Sequence, residues 1–400
     1  MKQQLITGLD IGSTSMKMMV ARKIASDSPL EIVAYAEEPS SGVRKGVVVN
    51  SEEAAKKIMM LKNRIESAIG KSSIDEVVVN IGGSHLFLTP SRGMVAVSRA
   101  DSNISQEDID RVLQGARSLS LPANKEVLEV YPRHFIVDGE AGIEDPIGMR
   151  GLRLEVEANA ICAFSPYVRS LAETIQTADL GVADMMPSVL AAAESATTSQ
   201  QRERGVALIE LGAATTSVVV FEEGHILHLT VLPIGSANIT HDIAIGLRTD
   251  PETAEAIKKE FGSCNPSHGK RSRTVEKTGM GSVSFSQKLL SHIIASRFQE
   301  IFQLVQKELK KAGRQGKLPS GVVLAGGGAK LPGVADLAKK EFKLAVRVGS
   351  PLEMVNAQDD PSMLVVAGLV RRAAELTDGK EYGGGDFFKK VKKVLKAFIP

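Results

Sequence analysis

One sequence pattern occurs twice in this chain of 400 residues and restricts its possible folds more than any other feature. Residues 6–15 read ITGLDIGSTS and residues 206–216 read VALIELGAATT. In each copy an apolar run ends in a carboxylate, Asp10 or Glu210, and a glycine follows two positions later. Small or hydroxyl-bearing residues then lead into a second apolar run. Each copy predicts two strands joined by a tight turn, and the repeat predicts two related halves.

The two turns have the chemistry of a phosphate-binding site. Consecutive backbone N–H groups in such a turn form a concavity for anions, and Ser and Thr hydroxyls add donors. A carboxylate just before the turn can hold the hydration shell of Mg²⁺, which keeps several of its waters. Either copy alone is more simply explained as an ordinary β-hairpin, so the hypothesis depends on the pair. The chain has neither a G-x-x-x-x-G-K-[ST] P-loop nor a G-x-G-x-x-G fingerprint.

Hydrophobic periodicity predicts strands that alternate with helices, which is typical of an α/β architecture. Three consecutive glycines at 326–328 end a predicted strand and suit a close approach of the backbone to a nucleobase or ribose. Ser51 is the predicted cap of the first helix, and Ser105 with Asp108 forms a predicted capping box. The predicted helices cover 51–69, a segment from 105 onward, 166–178, 251–261, 286–312 and 361–376. The main predicted strands cover 5–11, 16–21, 74–81, 126–137, 152–164, 206–211, 215–221 and 321–328. We expect a polar link at 197–204 and a loop or hairpin at 262–284.

Composition excludes several classes of protein. The chain carries 49 Lys and Arg against 47 Asp and Glu, so its overall charge predicts no nucleic-acid binding. Cys162 and Cys264 can form neither a disulfide framework nor a cysteine zinc site, which fits a reducing, cytosolic compartment. The N-terminus lacks the apolar core of a signal peptide, and no run of about 18 apolar residues predicts a membrane span. The 7 histidines show no metal-ligand spacing.

The motifs together resemble the actin/Hsp70/sugar-kinase ATPase superfamily. Residues 233–244, PIGSANITHDIA, are similar to its connect-1 motif, although Ser236 stands where that family usually has a second glycine. Residues 255–259, EAIKK, are similar to its E-x-x-K element over the adenosine. Within the superfamily, residues 129–139 and 145–155 resemble the insert subdomain of the FtsA family of bacterial cell-division proteins. This resemblance covers nearly the whole chain.

The resemblance implies an actin-like ATPase fold of two related halves, with an FtsA-type insert subdomain and a C-terminal amphipathic helix. The implied subdomains are 1A (1–83 and 166–196), 1C, the insert (84–165), 2A (197–243 and 318–376) and 2B (244–317), followed by a flexible linker (377–386) and a membrane-targeting helix (387–400). The implied ligands are ATP and Mg²⁺, with Asp10 and Glu210 holding the metal through water and Glu255 turned toward the ribose. The implied nucleotide-binding residues are Asp10, Gly12, Ser13, Thr14, Ser15, Lys17, Glu210, Gly212, Ala213, Ala214, Thr215, Thr216, Gly235, Glu255, Lys258, Lys259, Gly326, Gly327 and Gly328.

The second phosphate turn departs from the superfamily pattern. Glu210 replaces the usual aspartate, Ala213 and Ala214 replace glycines, and Ser217 replaces a final acid. Glutamate is one methylene longer, which shifts the water shell of a metal, and the alanines stiffen the turn. In-line hydrolysis needs near-ångström placement of the attacking water, whereas nucleotide binding does not. We therefore expect an ATP-binding switch with slow or negligible turnover, and we assign no catalytic residue.

The last residues, 387–400, have the pattern of an amphipathic helix. One face carries Phe387, Phe388, Val391, Val394, Leu395, Phe398 and Ile399. The other carries Lys389, Lys390, Lys392, Lys393 and Lys396. The segment is too short to span a bilayer and is suited to lie in the interface of an anionic membrane. A helix docked on the protein's own core and a calmodulin-like target helix are the alternatives, and the glycine-rich linker argues against docking.

The resemblance implies an adaptor on the cytoplasmic face of the bacterial inner membrane, at the division site. Its implied partners are the FtsZ C-terminal tail, further copies of the chain in head-to-tail filaments, anionic membrane lipids, and other divisome proteins through 84–165. Arg297 and Glu300 match the family's R-x-x-E-I and are the predicted partner-binding residues, although an exposed helical ion pair explains them equally well. A PilM-type pilus assembly protein and a sugar or metabolite kinase of the same superfamily are the alternatives.

Overall fold

The computed structural model of the chain describes residues 5–23, 28–70, 72–98, 101–265, 272–276 and 282–377. Its strands and helices alternate, so the predicted α/β class is confirmed. The strands are β1 (Leu5–Ile11), β2 (Ser15–Arg22), β3 (Leu30–Pro39), β4 (Val43–Arg44), β5 (Val47–Val48), β6 (Glu76–Ile81), β7 (Phe87–Ala96), β8 (Lys125–Val137), β9 (Glu140–Ile143), β10 (Arg153–Phe164), β11 (Gly181–Pro187), β12 (Val206–Leu211), β13 (Thr216–Glu222), β14 (His225–Leu232), β15 (Ser272–Glu276), β16 (Ser282–Ser286), β17 (Val322–Ala325), β18 (Val346–Val348) and β19 (Met354–Val355). The helices are α1 (Ser51–Ala68), α2 (Gln106–Arg117), α3 (Ser165–Thr177), α4 (Ser188–Ala196), α5 (Ser199–Arg204), α6 (Ser236–Leu247), α7 (Pro251–Phe261), α8 (Gln287–Lys311), α9 (Val334–Phe342) and α10 (Leu364–Thr377).

Two sheets have the same strand order, and each contains one copy of the sequence repeat. The first sheet runs β3-β2-β1-β6-β11, with β19 added beyond β3, and the second runs β14-β13-β12-β17-β18. In each sheet the repeated hairpin is antiparallel, and its first strand pairs in parallel with the strand on its other side. Parallel neighbours end at the same edge of a sheet, so each carboxylate lies where the next strand also ends. The two related halves are confirmed.

A third sheet belongs to the segment inserted between β6 and β11. Its order is β7-β10-β8-β9, all antiparallel, and α2 packs on it to enclose a separate core. The buried Asp108 carboxylate closes the predicted capping box, accepting from Ser105 N at 2.9 Å and from Ser105 Oγ at 2.8 Å. Gly93 contacts α2 so closely that only glycine fits, because a Cβ there would stand 2.0 Å from the Val112 carbonyl oxygen.

Charged and polar side chains fix the inserted sheet to the rest of the molecule. Arg372 on α10 is buried between Glu129 of β8 and Asp184 of β11, at 3.2 and 2.8 Å. Tyr131 Oη donates to the same Glu129 carboxylate at 2.6 Å. On the opposite side, Asn159 Nδ2 of β10 donates to the Ile226 carbonyl of β14 at 2.8 Å. The inserted sheet therefore contacts both halves.

Helices α4 and α10 cross at very short range near the junction of the two halves. Gly368 makes the crossing possible, because a Cβ at this position would lie 1.7 Å from the Ala191 carbonyl oxygen. Ser195, near the end of α4, donates from Oγ to the Leu364 carbonyl at 2.6 Å. The Ser195 carbonyl accepts from Leu352 N at 2.8 Å. The buried Ser195 therefore contacts both the start of α10 and Leu352, which lies in the segment between β18 and β19.

Local details correct two of the sequence predictions. The cap of α1 is Asn50, whose Oδ1 accepts from Glu53 N at 3.2 Å, and the predicted cap Ser51 instead contacts Thr174 through its hydroxyl. The predicted polar link at 197–204 contains α5, because Thr198 forms a capping box with Gln201 that starts a helix. Of the loop and the hairpin considered for 262–284, the described residues show a hairpin, β15 with β16.

The end of the described chain packs on the first half. The predicted division placed 318–376 in the second half, whereas β19 pairs with β3 and the α10 side chains Val366, Val370 and Ala374 pack with Ile6 and Met19 of β1 and β2. Among the described helices, none has the length and apolar character needed to cross a bilayer. The predicted amphipathic segment 387–400 and its linker lie outside the described residues, apart from Thr377.

Candidate functional site

A cavity of about 900 Å³ lies between the two halves, and both repeated turns line it. The other walls come from α6, α7, the glycine turn after β17 and the segment before α10. The predicted residues that line it are Asp10, Gly12, Ser13, Thr14, Ser15, Lys17, Glu210, Gly212, Ala213, Thr215, Glu255, Lys258, Lys259, Gly326, Gly327 and Gly328. The fold thus collects in one cleft residues that are distant in sequence. Their role in nucleotide binding stays a prediction.

The two turns have the same backbone geometry. Gly12 N donates to the Ser15 carbonyl at 3.1 Å, and Gly212 N donates to the Thr215 carbonyl at 3.0 Å. A Cβ on either glycine would come within 2.6 or 2.8 Å of that carbonyl oxygen, so both positions require glycine. The residues within the turns that line the cleft are Ser13 and Thr14 in the first and Ala213 in the second, where an anion site of this type would lie.

The first carboxylate is held by a small network. Asp10 lies 3.5 Å from Lys17 Nζ through Oδ2, and its Oδ1 accepts from Asn80 Nδ2 at 2.9 Å. Asp10 is 6% exposed, and this burial raises its pKa, while the Lys17 ammonium opposes the shift. The carboxylate therefore lies at the cleft wall with a fixed orientation and little water of its own.

The second carboxylate has an unused oxygen. Glu210 Oε2 is buried and has no hydrogen-bond partner among the residues that the structure describes. Burial, together with the charge of Asp10, raises the pKa of Glu210 to about 7, although a hydrogen bond from Ser217 and the charge of Lys17 oppose the shift. The Asp10 charge therefore acts on Glu210, and the Lys17 ammonium opposes the pKa shift of both carboxylates.

These oxygens fit a magnesium ion. The described residues contain no cluster of three or more His, Cys, Asp or Glu side chains that could enclose a metal. Mg²⁺ needs no such cluster, because it is usually bound through one or two carboxylates together with waters and substrate phosphates. Asp10 and Glu210 supply hard oxygen donors, and the unpartnered Glu210 Oε2 gives a reason for a cation here. They would hold the ion through water, beside the phosphates of a nucleotide.

The predicted adenosine element contains an ion pair between the buried Lys258 and the half-buried Glu255. Lys258 Nζ lies 2.6 Å from Glu255 Oε2 and donates to Thr240 Oγ1 at 2.7 Å and to the Ser236 carbonyl at 3.2 Å. Burial lowers the pKa of Lys258, while Glu255 opposes the shift. Thr240 also donates to Glu255. Lys258 thus positions Glu255 and holds α7 on α6, while Lys259 is exposed at the cleft entrance.

The three consecutive glycines have different reasons to be glycine. Gly326 has a φ of +83°, and a Cβ there would lie 2.6 Å from the Leu211 carbonyl oxygen. A Cβ on Gly328 would lie 2.9 Å from the Leu211 Cβ, whereas one on Gly327 would meet nothing within 4 Å. Gly326 and Gly328 therefore permit a close approach to the end of β12. This approach places the glycine turn, which lines the cleft, against the second repeated turn.

Some predicted residues lie elsewhere. Ala214 does not line the cleft, Thr216 donates to the Ile234 carbonyl at 2.9 Å, and Gly235 caps α6, where a Cβ would meet the Ala213 carbonyl oxygen at 2.5 Å. The predicted partner-binding pair, Arg297 and Glu300, does not line the cleft. Arg297 makes two bonds to Asp242, at 2.6 and 2.8 Å, and one to Glu300 at 2.5 Å.

Several cleft residues were not predicted from the sequence. They are Glu37 on β3, Asn80 on β6, Ser188 at the start of α4, and the ion pair of Lys330 with Asp360, whose side chains meet at 2.6 Å. Asn80 carries a recognisable signal, because it is a polar residue near the end of the apolar run Val77–Val79. The others are polar residues without a local pattern.

We expect Glu210→Gln to stabilise the protein in the absence of nucleotide and Mg²⁺. The folded pKa of Glu210, about 7, lies above its ordinary value of 4.5, so its ionisation destabilises the native state increasingly as pH rises between these values. The variant should raise the free energy of unfolding by about 2 kcal/mol at pH 8 and by much less at pH 5. Urea unfolding followed by circular dichroism at the two pH values measures this.

Glu37→Gln is the matched control on the same cleft wall. Burial alone would raise the pKa of Glu37, but hydrogen bonds from Ser15 and Tyr35 and the charge of Lys17 outweigh it and lower the pKa. Its ionised form therefore stabilises the fold above its ordinary pKa, and the variant should lose stability at pH 8. Equal effects of Glu210→Gln at both pH values would contradict the raised pKa of Glu210.

Two protein-family models match the chain. The model described as cell division protein FtsA matches residues 207–368, and the model of the SHS2 domain inserted in FtsA matches residues 83–162. Cell division protein FtsA of Bacillus subtilis is 34% identical over 92% of this chain and 83% of its own length. The FtsA proteins of Borreliella burgdorferi (35% identical, 92% and 91% covered) and Neisseria meningitidis (31% identical, 99% of both chains covered) are similar relatives.

Solved structures show the same fold at lower identity. The chain matches a structure of the PilM–PilN type IV pilus biogenesis complex with a TM-score of 0.66 at 18% identity, covering 92% of this chain and 98% of that one. MreB5 of Spiroplasma citri bound to AMPPNP matches with a TM-score of 0.58 at 14% identity, covering 95% and 98%. These likenesses confirm the actin-like ATPase fold, and the sequence relatives identify the family. The chain belongs to the FtsA family of cell division proteins.

Proposed function

We propose that this protein binds Mg-ATP in the cleft, assembles head to tail on the inner face of the cytoplasmic membrane, and tethers FtsZ filaments there. The single observation that carries the nucleotide part is the pair of matching turns facing one cavity. Each turn lines the cavity, and each follows a carboxylate, Asp10 or Glu210. Two anion-binding turns opposite one another suit the β- and γ-phosphates of one nucleotide. The AMPPNP bound to a protein of the same fold supports this proposal.

The cleft favours binding over turnover. Ala213 and Ala214 replace flexible residues in the second turn, and Glu210 carries its carboxylate one methylene further than an aspartate would. An attacking water must be placed to within a fraction of an ångström, which this turn does not favour. Nucleotide state would then act by holding the two halves together, and hydrolysis would be slow or negligible.

Membrane attachment and partner binding complete the proposal. The apolar and lysine-rich faces of residues 387–400 would give a weak, reversible interfacial anchor, and assembly would multiply many weak anchors into firm attachment. A double helical filament of MamK, which shares the fold, supports head-to-tail assembly. The FtsZ tail would dock near Arg297, and other divisome proteins would bind the inserted sheet.

Co-sedimentation with anionic vesicles tests the proposal. We expect the full chain to pellet with vesicles, more so with Mg-ATP, and to carry added FtsZ into the pellet. A chain ending at Gly385 should stay in the supernatant with or without ATP. Phe398→Glu places a charge on the apolar face and should release the chain, whereas Lys393→Gln, on the other face, should weaken binding only slightly.

The controls separate the parts of the proposal. Asp10→Asn in the full chain should leave vesicle binding intact and remove its ATP dependence. Equal pelleting of the full and shortened chains would overturn the membrane anchor and favour a PilM-type role. Rapid phosphate release in the presence of a small-molecule acceptor would instead favour a kinase.

A further inference from the structure

The side chain of Asn80 makes hydrogen bonds with three groups at the edge of the cleft. It lies near the end of β6, beside the end of β1, and is 4% exposed. Its Oδ1 accepts from Ile11 N at 2.7 Å. Its Nδ2 donates to Asp10 Oδ1 at 2.9 Å and to Ser188 Oγ at 3.0 Å. One buried amide therefore binds the predicted metal-holding carboxylate, the backbone that follows it, and the start of α4.

These contacts allow one orientation of the amide. If the Asn80 side chain were flipped, its NH₂ group would face Ile11 N, which is also a donor, and its oxygen would face the Asp10 carboxylate, which is also an acceptor. Neither pair can form a hydrogen bond. The orientation is therefore determined by the surrounding groups, and the donated bond fixes the rotation of the Asp10 carboxylate.

We propose that Asn80 is a positioning residue for Mg²⁺: it holds Asp10 Oδ1, so that Oδ2 is directed at Lys17 and at the position of the metal's water shell. Without this bond, the described part of the chain would leave Asp10 only the Lys17 contact at 3.5 Å, which does not define the carboxylate plane. Side chains that orient a metal-holding group commonly change metal affinity about 10-fold or more when they are replaced. This inference rests on the proposed binding of Mg-ATP.

The affinity for ATP, measured with Mg²⁺ and again with EDTA, tests the role of Asn80. The dissociation constant for ATP in EDTA, divided by the dissociation constant with Mg²⁺, gives the Mg²⁺-dependent part of binding. We expect Asn80→Ala to reduce this ratio about 10-fold while changing the affinity in EDTA less than about 2-fold. In an Asp10→Asn background, Asn80→Ala should have no further effect on the ratio, because the carboxylate that it positions is then absent.

Two further variants separate positioning from stability. Asn80→Asp has nearly the same volume and keeps the acceptor for Ile11 N. Its second oxygen replaces the N–H donor to Asp10 and cannot form that hydrogen bond, so this variant should also reduce the ratio. Asn159→Ala removes another buried asparagine, which contacts Ile226 far from the cleft, and it should lower the melting temperature without changing the ratio.

The outcomes distinguish this inference from the function on which it rests. If the wild-type protein shows no Mg²⁺-dependent ATP binding, the proposed function is wrong and the role of Asn80 with it. If the wild-type protein binds Mg-ATP and both Asn80 variants keep the ratio, only the inference is wrong. A further loss on adding Asn80→Ala to Asp10→Asn would show that Asn80 acts by another route.

Discussion

Gly368→Ala is expected to lower the free energy of unfolding by about 3 kcal/mol or more, enough to leave much of the protein insoluble. The new methyl group would stand 1.7 Å from the Ala191 carbonyl oxygen, so α4 and α10 would have to separate. Neither helix can move alone, because both pack in a hydrophobic core to which strands of both halves contribute. Urea unfolding followed by circular dichroism, together with soluble yield, measures the effect.

Gly115→Ala is the matched control, because it makes the same substitution in another helix. A Cβ at Gly115 in α2 would meet its nearest neighbour, Gly93 Cα, at 3.6 Å, which is ordinary contact. Alanine is favoured over glycine in a helix by up to about 1 kcal/mol, so this variant should be as stable as the wild type or more stable. Similar stabilities for the two variants would disprove the close crossing of α4 and α10.

Arg372→Met is expected to cost about 3–5 kcal/mol, because it leaves two buried carboxylates without their cation. Glu129 and Asp184, each 7% exposed, both depend on this guanidinium, and they belong to different sheets. The loss should appear as early exposure of the inserted sheet in hydrogen exchange, as well as a lower urea midpoint.

The neighbouring arginine supplies the control. Arg371 pairs at 3.0 Å with Glu353, whose side chain is 74% exposed, and exposed pairs contribute less than about 1 kcal/mol. Arg371→Met should therefore leave the exchange of the inserted sheet unchanged. Adding Asp184→Asn and Glu129→Gln to Arg372→Met should recover part of the stability, because it removes the unpaired charges. Equal losses for the two arginine variants would rule out the buried cluster as the anchor of the insert.

The features that could be predicted from the sequence are those encoded by neighbouring residues. The two turns depend on a strand, a carboxylate and a glycine within a few positions, and the shared strand order follows from their repetition. Helix and strand periods are also local, which is why α8 and β8 have nearly their predicted bounds. The triple glycine was located correctly, but its packing against Leu211 depends on a strand more than a hundred residues away.

The features that could not be predicted depend on distant pairing. Asn80 contacts Ser188 across a sequence separation of 108, and Arg372 meets Asp184 and Glu129 across separations of 188 and 243. Two adjacent arginines in α10 differ wholly in environment, and no local pattern says which one is buried. The return of β19 and α10 to the first half also depends on distant pairing, of β19 with β3 and of α10 with Ile6 and Met19.

Ser195 has a mechanical consequence for the C-terminal membrane anchor that we propose. Helix α10 begins where Ser195 Oγ bonds to the Leu364 carbonyl, and it ends at Thr377, from which the chain continues toward residue 400. A pulling force on the C-terminal end would therefore act along α10, toward the place where its first turn contacts Ser195 of α4. Tension on the proposed anchor would therefore act on a helix whose first turn lines the cleft through Val365.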